Sequence, residues 1–468
     1  MLANPFPAFP FYHGDLERDH AFAQGKAHDL NNGWTHPAIL WDCIRARLIA
    51  APLSNESGLA DEIHSHGPAQ GDGMPRVATI GLGLALLLMG GAHFSAYAAP
   101  TGQPYDINVV LPLTGSGAFL GQGEQQSLQL VEKTVNESGG LNGHPLHFVF
   151  KDDQSSPQTG VQLASGIIAE KPAVMLGSSL VAICRAIAPL VKNGPVDYCF
   201  SPGLHPDPGD YAFTASVSTT DLAQATIRFF RLKGLTRLAF MFSTDATGQE
   251  FEEGVRQILA LPENKDMKAV AAEHFNISDT FVSAQLQNIK AAEPQALVAW
   301  STGSPIATIF RGVIQVGLDI PIATTDGNMT YAQMKQYASF LPKQLYIPAG
   351  EFISRDGAFL APEVRKTHEP FYQAFSSIGV KPDEPSELAW EPAMILVAAL
   401  RKLGTDATAQ QIHDFITHLN GYAGVDGIYD FPKVPQRGLS IDNAVVTMWS
   451  ADADTWQVVS RAGGTPLP

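Results

Sequence analysis

The sequence predicts an α/β protein made of two doubly wound, Rossmann-like lobes joined by a multi-strand hinge. Three observations carry that expectation. The chain has 468 residues, room for two to four domains. With 45% hydrophobic and 16% charged residues, it is neither largely disordered nor collagen-like. From Tyr105 onward short β-rich runs alternate with amphipathic stretches, and the alternation comes in two successive series.

The first strand is Ile107 to Leu111, apolar except for Asn108, a run of the kind buried on both faces of a parallel sheet. A glycine-rich turn follows, then a helix from Gln122 to Asn136 ended by Gly139-Gly140. Strands Leu146 to Phe150, Ala173 to Leu176 and Val196 to Phe200 alternate with helices Gln158 to Glu170 and Val181 to Lys192. The second series begins with helix Asp221 to Leu232, strand Arg237 to Phe242, helix Gly248 to Leu259 and strand Lys268 to His274. Helix Thr280 to Ala292, strand Ala296 to Trp300, helix Pro305 to Gly317 and strand Ile322 to Thr324 complete it.

Beyond Tyr346 come helices Ala361 to Ser377, Pro385 to Leu403 and Ala409 to Leu419, then strands Ile428 to Phe431, Ala444 to Trp449 and Gln457 to Val459. This tail reads as a third domain or as a return that completes both lobes. The return is preferred, because the helices lack enough strands for a sheet of their own, and it implies a hinge of several strands. The expected division is residues 104–217 with 347–427 in lobe 1 and 218–346 with 428–460 in lobe 2.

Residues 1–73 lack sustained apolar periodicity and hold six of the 14 histidines. Residues 74–99 have the three parts of a secretory signal. Arg76 is the basic part, Val77 to Gly91 the short apolar part, and Ala96-Tyr97-Ala98 the cleavage site. A signal normally starts at the initiator, so Met74 is the expected start of the exported protein and residues 1–73 an upstream extension. The competing reading buries the signal inside a longer chain. No lipobox cysteine and no Arg-Arg pair accompany the signal, so neither a lipid anchor nor folded export is expected.

Thirty basic against 46 acidic side chains give a net charge of −16, which repels phosphate backbones, so nucleic acid is not an expected partner. Three cysteines (Cys43, Cys184, Cys199) exclude a disulfide-dense scaffold and a four-thiolate zinc site. Cys184 and Cys199 fall on a helix and a neighbouring strand, where they either bridge or point apart. His64-Ser65-His66 lacks further ligands at useful spacing, and no metal is expected.

In open parallel sheets ligands collect beyond the carboxyl ends of strands. Those ends are Thr114-Gly115-Ser116-Gly117, Gly177-Ser178-Ser179, Ser201 to His205, Ser243 to Thr247, Ser301 to Ser304 and Thr325 to Asn328. Hydroxyls, glycines and helix starts recur there, a chemistry suited to a carboxylate. Each hydroxyl alone also reads as a helix N-cap.

Several motifs occur in order. They are Leu113-Thr114-Gly115 with Gly121, Asn136 to Gly143 before a strand, Lys151-Asp152-Asp153 with Pro157, Ser201-Pro202-Gly203, Gly317-Leu318 and Asp326-Gly327. In these the chain resembles the branched-chain amino-acid binding-protein family of ABC importers, the leucine-binding-protein-like type I periplasmic solute-binding proteins. The resemblance covers Tyr105 to Val459. It implies a periplasmic protein that performs no chemistry: two lobes close on a solute and dock on permease subunits. It also implies that hydroxyls and amides after the third and fourth strands hold the ligand's carboxylate, and that an acid matching Asp326 holds its ammonium. Ser178 and Ser179 supply hydroxyls, while the family's serine falls on Val181 or Ala182. Its threonine falls on His205, its first-loop aromatic on Leu120 beside Phe119, and its second-lobe aromatic on Thr247. Ser116, Ser201 and Ser304 complete the candidate set. The departures point to an amino acid or a related small carboxylate, aromatic ones included. A monomer without a cofactor is expected.

Plainer readings stand beside these. His205 precedes Pro206 and Pro208 and reads equally as a loop residue, Asp326 as a turn former, and Trp300 as core. A nucleotide-dependent Rossmann-type oxidoreductase is the main rival, since Gly115-Ser116-Gly117 with Gly121 approximates a pyrophosphate turn and Asp152 or Asp153 follows the second strand. The glycine spacing is one residue too long, and the acid lies further on than the usual ~20 residues. A ligand-sensing module of a regulator on the same lobes is the third reading. No G-x-S-x-G elbow, H-E-x-x-H helix or P-loop occurs.

Overall fold

The computed structural model describes residues 99–355 and 359–468. The extension over residues 1–73 and the cleavage site at Ala96 and Ala98 lie outside the described residues.

Strand β1 (Tyr105–Leu111) buries Val109, Val110 and Leu111 completely, so both of its faces are covered. It pairs with β2 (Leu146–Asp152) and β3 (Val174–Gly177), and β3 leads on to β4 (Val196–Cys199) and β5 (Ala212–Thr214). All pairs are parallel, in the order β2-β1-β3-β4-β5. Helices α1 (Ala118–Glu137), α2 (Pro157–Ala169) and α3 (Val181–Ile187) make the crossovers. The Ser156 hydroxyl accepts the Thr159 N–H and Pro157 takes the first turn, which fixes where α2 begins. Helix α3 is shorter than the stretch expected over Val181 to Lys192. Pro189 lacks the N–H that a continuing α-helix needs, and a tighter 3-10 turn over Ala188–Val191 takes over. Cys184 on α3 and Cys199 on β4 form a disulfide.

The second sheet begins with β6 (Arg237–Ser243), β7 (Lys268–Phe275), β8 (Ala296–Trp300), β9 (Ile322–Ala323) and β10 (Leu345–Ala349). Helices α4 (Thr219–Leu232), α5 (Ala246–Leu259), α6 (Ser283–Ala291), α7 (Ile306–Val316) and α8 (Tyr331–Tyr337) accompany it. Strand β10 goes beyond the sequence expectation, and it carries Pro348, a residue that an interior strand rarely admits. It is tolerated because β9 pairs only with Leu345 and Tyr346, leaving Pro348 past the end of that ladder.

The tail returns to both halves. Helices α9 (Pro362–Ser376), α10 (Glu384–Leu403) and α11 (Ala409–Thr417) come first, and α10 packs along α1 on the first sheet. A hairpin of β11 (Asn420–Gly424) and β12 (Gly427–Asp430) follows. Strands β13 (Val445–Ser450) and β14 (Thr455–Val458) then extend the second sheet antiparallel to β10, giving β14-β13-β10-β9-β8-β6-β7. Among the described residues the chain thus crosses between the halves three times, at residues 215–218, between β10 and α9, and at residues 431–444. One buried apolar cluster runs through both halves, from Leu128 and Phe148 to Phe310 and Leu345.

Candidate functional site

The carboxyl ends of both parallel sheets open onto one cleft. It leaves a cavity of about 30 Å³. The first half contributes Leu120 from α1, Ser179 to Val181 after β3 and Ser201 to Gly203 after β4. The second contributes Thr247 and Glu250 from α5, Trp300 and Thr302 at the end of β8, and Thr325 to Gly327 after β9. Thr219 at the start of α4 and Leu388 on α10 complete the wall.

Local chemistry sets these positions. Asp245 accepts the Gly248 N–H at 3.1 Å and the Ser243 hydroxyl at 2.6 Å, which starts α5 and turns Thr247 and Glu250, three residues apart, to one face. The Asn328 side chain ties the loop after β8 to the loop after β9. It accepts the Gly303 N–H at 3.0 Å and donates to the Ser301 carbonyl at 2.7 Å, which brings Thr302 beside Asp326. The Trp300 indole stacks on the Phe251 ring with centroids 4.1 Å apart, and its Nε1 is buried without a hydrogen-bond partner.

The electrostatics are acidic. The Asp326 carboxyl is fully buried, and burial pushes it up to about 6, opposed by hydrogen bonds from the Thr325 hydroxyl and the Gly327 N–H. Glu384, on the first turn of α10, faces Asp326, and burial together with that neighbour drives its carboxyl well above the usual range. On the other wall the Ser179 hydroxyl donates to Glu124, whose carboxyl burial raises to about 8. No Lys, Arg or His lines the cavity among the described residues. The buried Arg437 guanidinium lies nearby, but it donates to the carbonyls of Ala215, Ser216, Pro202 and Leu204.

The two halves touch across the cleft. The Ser304 N–H donates to the Ser116 carbonyl at 3.1 Å, and His205 Nε2 meets Glu250 Oε1 at 3.0 Å. Gly303 has φ +82°, and a Cβ there would come within 2.3 Å of the Ser116 carbonyl oxygen. Only glycine permits this approach. The lobes are closed.

Of the residues singled out in the sequence, Leu120, Ser179, Val181, Ser201, Thr247 and Asp326 come together around the cavity. Six others lie outside its lining. Ser178 turns away and donates to Asp153 at 2.6 Å, and the Phe119 ring packs edge-on against Tyr337. Ser116 and Ser304 meet through their backbones, His205 sits at the rim on Glu250, and Ala182 stands one residue past the lining on α3. Thr219, Glu250 and Leu388 were not anticipated. Glu250 lies one helical turn after Thr247, a signal present in the sequence, whereas Leu388 arrives from a distant helix with no local signal.

A curated relative, Leu/Ile/Val-binding protein homolog 1 of Brucella abortus, is 22% identical over 312 residues, covering 64% of this chain and 79% of that protein. The match to homolog 2 of the same organism is 28% identical over 93 residues and spans only 23% of that relative's length. An extracellular ligand-binding receptor from Rhodopseudomonas palustris superposes with a TM-score of 0.67 at 17% identity, covering 76% of this chain and all of the other. A solute-binding protein of an ABC transporter from R. palustris, solved with benzoate, gives a TM-score of 0.62 at 17% identity, covering 78% of this chain and all of that one. These likenesses establish the type I periplasmic binding fold. The model of the periplasmic binding protein family matches residues 104–453, the greater part of the sequence, and the chain belongs to that family.

Proposed function

We propose that this protein is the solute-binding component of an ABC importer, which captures an amino acid or related small carboxylate in the periplasm and delivers it to permease subunits. The observation that carries the reading is the cavity walled by strand ends from both halves, with closing contacts around it. A solute that touches both walls stabilises the closed form through its differential contacts, and no bond need be made or broken.

Asp326 is a buried carboxylate with no cation among the residues around the cavity, so it is assigned the ligand's ammonium. The Ser201 hydroxyl and the backbone N–H groups after β3 are assigned its carboxylate, while Leu120, Val181, Leu388 and Trp300 form the apolar wall. The names of the Brucella relatives support an amino-acid ligand. Trp300 favours a second reading, an aromatic carboxylate, which the benzoate bound to the R. palustris protein also supports.

A thermal-shift and calorimetry screen of the purified chain against amino acids, aromatic carboxylates, amides and NAD tests both. Saturable stabilisation by one of the first two classes is expected. Stabilisation by NAD alone would overturn the importer reading in favour of an oxidoreductase.

A further inference from the structure

A second concavity shares no lining residue with the cleft. It is an open groove of about 810 Å³ between residues 351–355 with 359–360, the end of α9 with residues 380–382, and the β14 edge with residues 458–462. Its chemistry is the reverse of the cleft's. Among the described residues that line it, Lys381, Arg355 and Arg461 stand with one acid, Glu351, in a protein of net charge −16.

The cations are arranged over rings. Arg355 stands 4.9 Å from the centroid of Tyr372, Lys381 5.1 Å from that of Tyr331, and Arg461 5.0 Å from that of Phe359. Trp456 packs edge-on against Tyr331 at 4.5 Å and supplies a further apolar face. Lys381 also meets Asp454 at 3.4 Å, whereas Arg355 and Arg461 have no carboxylate partner among the described residues. Burial raises the Glu351 carboxyl to about 7, so at neutral pH it offsets only part of one positive charge. Flat apolar faces beneath cationic rims suit a ligand with an aromatic body and acidic substituents. The space lies toward the upper end of the usual ~300–1,000 Å³ of a small-ligand pocket, which leaves room for fused rings.

We propose that this groove is a second binding site, separate from the solute cleft, for an anionic aromatic compound. The charge excess selects the acid groups, and Tyr331, Tyr372 and Trp456 select the flat body.

The probe is 2-naphthoate, titrated into the full chain by calorimetry and followed by tryptophan fluorescence. Saturable binding is expected. Arg461→Glu and Lys381→Glu both change exposed side chains, and each is expected to weaken it at least tenfold. Thr302→Trp, which fills the cleft, is expected to leave naphthoate binding unchanged while abolishing binding of any amino acid found by the screen. Absence of saturable binding overturns the inference. So does binding that survives both charge reversals but is lost in Thr302→Trp, because the anion then occupies the cleft. Failure of the amino-acid screen touches only the importer reading, since the groove is assayed with a different ligand and different variants.

Discussion

Acidification should move the stability of the ligand-free protein and its affinity for an amino acid in opposite directions, with Asp326 as the common cause. Its carboxyl is pushed from the ordinary 3.8 up to about 6 by burial, and Glu250 faces it with further negative charge. The folded state therefore holds this proton more tightly than the unfolded chain. Stability from this group is greatest at about pH 4 and is lost as pH rises through 6, by roughly 3 kcal/mol at 1.36 kcal/mol per unit. An ammonium ligand needs the ionised form. At pH 5 only about one molecule in ten has it, so affinity should be about tenfold weaker than at pH 8. Calorimetry from pH 5 to 8 with a stabilising amino acid, paired with ligand-free melting curves, measures both slopes. Asp326→Asn should flatten both and weaken binding at pH 8 by about 1.5–3 kcal/mol. His205 meets Glu250, which also faces Asp326, so a His205→Asn control separates its contribution. A dissociation constant that stays level from pH 5 to 8, or an Asp326→Asn variant that binds normally, would refute the assignment of the ammonium to Asp326.

Gly303→Ala separates closure from contact: with φ +82° and the Ser116 carbonyl 2.3 Å from the added Cβ, it should hold the lobes apart and weaken the solute by tenfold or more. Small-angle scattering that shows the same closed form with ligand as the parent protein would contradict this. Glu384→Gln keeps the shape and a hydrogen-bond donor while removing an acid that must carry a proton when buried, so urea unfolding at pH 8 should show a gain of about 1–2 kcal/mol. A loss of stability would show that the charge itself is needed. Replacing Cys184 and Cys199 together by alanine opens a loop of 15 residues and should cost about 3 kcal/mol in the same assay. An unchanged midpoint would mean that the bridge adds nothing beyond its packing.

What the sequence revealed and what it concealed follow from the range of the interactions concerned. Strand ends and helix starts were legible because their causes are local: Ser156 caps the N–H three residues on, with Pro157 between them, and Asp245 does the same for Gly248. Ser201 and Asp326 were found by that route, since each follows a strand closely, whereas Leu120 came from the family resemblance. Strand β10 was not anticipated, and whether Pro348 can sit in it depends on how far a partner strand's ladder extends, which nothing local shows.

The acids of α10 show the limit most clearly. Glu384, Glu387 and Glu391 lie at i, i+3 and i+7, a spacing that puts them on one face, but nothing local says whether that face meets water or protein. All three are buried, each against a partner from another part of the chain. Glu384 faces Asp326 at the cleft, Glu387 faces Asp426, and Glu391 accepts the Val425 N–H at 2.7 Å. Asp426 in turn accepts the Ser216 hydroxyl at 3.0 Å and the Phe352 N–H at 3.1 Å, and those two residues lie in two of the three crossings between the halves. One helix face thus runs from the carboxylate assigned to the ligand to the segments that must bend when the lobes open. Neutral carboxyl pairs serve here where ion pairs would need a buried cation, because a carboxyl that keeps its proton can donate to the next without the desolvation cost of a second charge. Charge at Asp326 raises Glu384, and Glu384 with Asp426 raises Glu387, so the face links the cleft electrostatically to the segments held by Asp426. That coupling exists only in the folded packing of α10 against residues 216, 352 and 426, far apart in the chain.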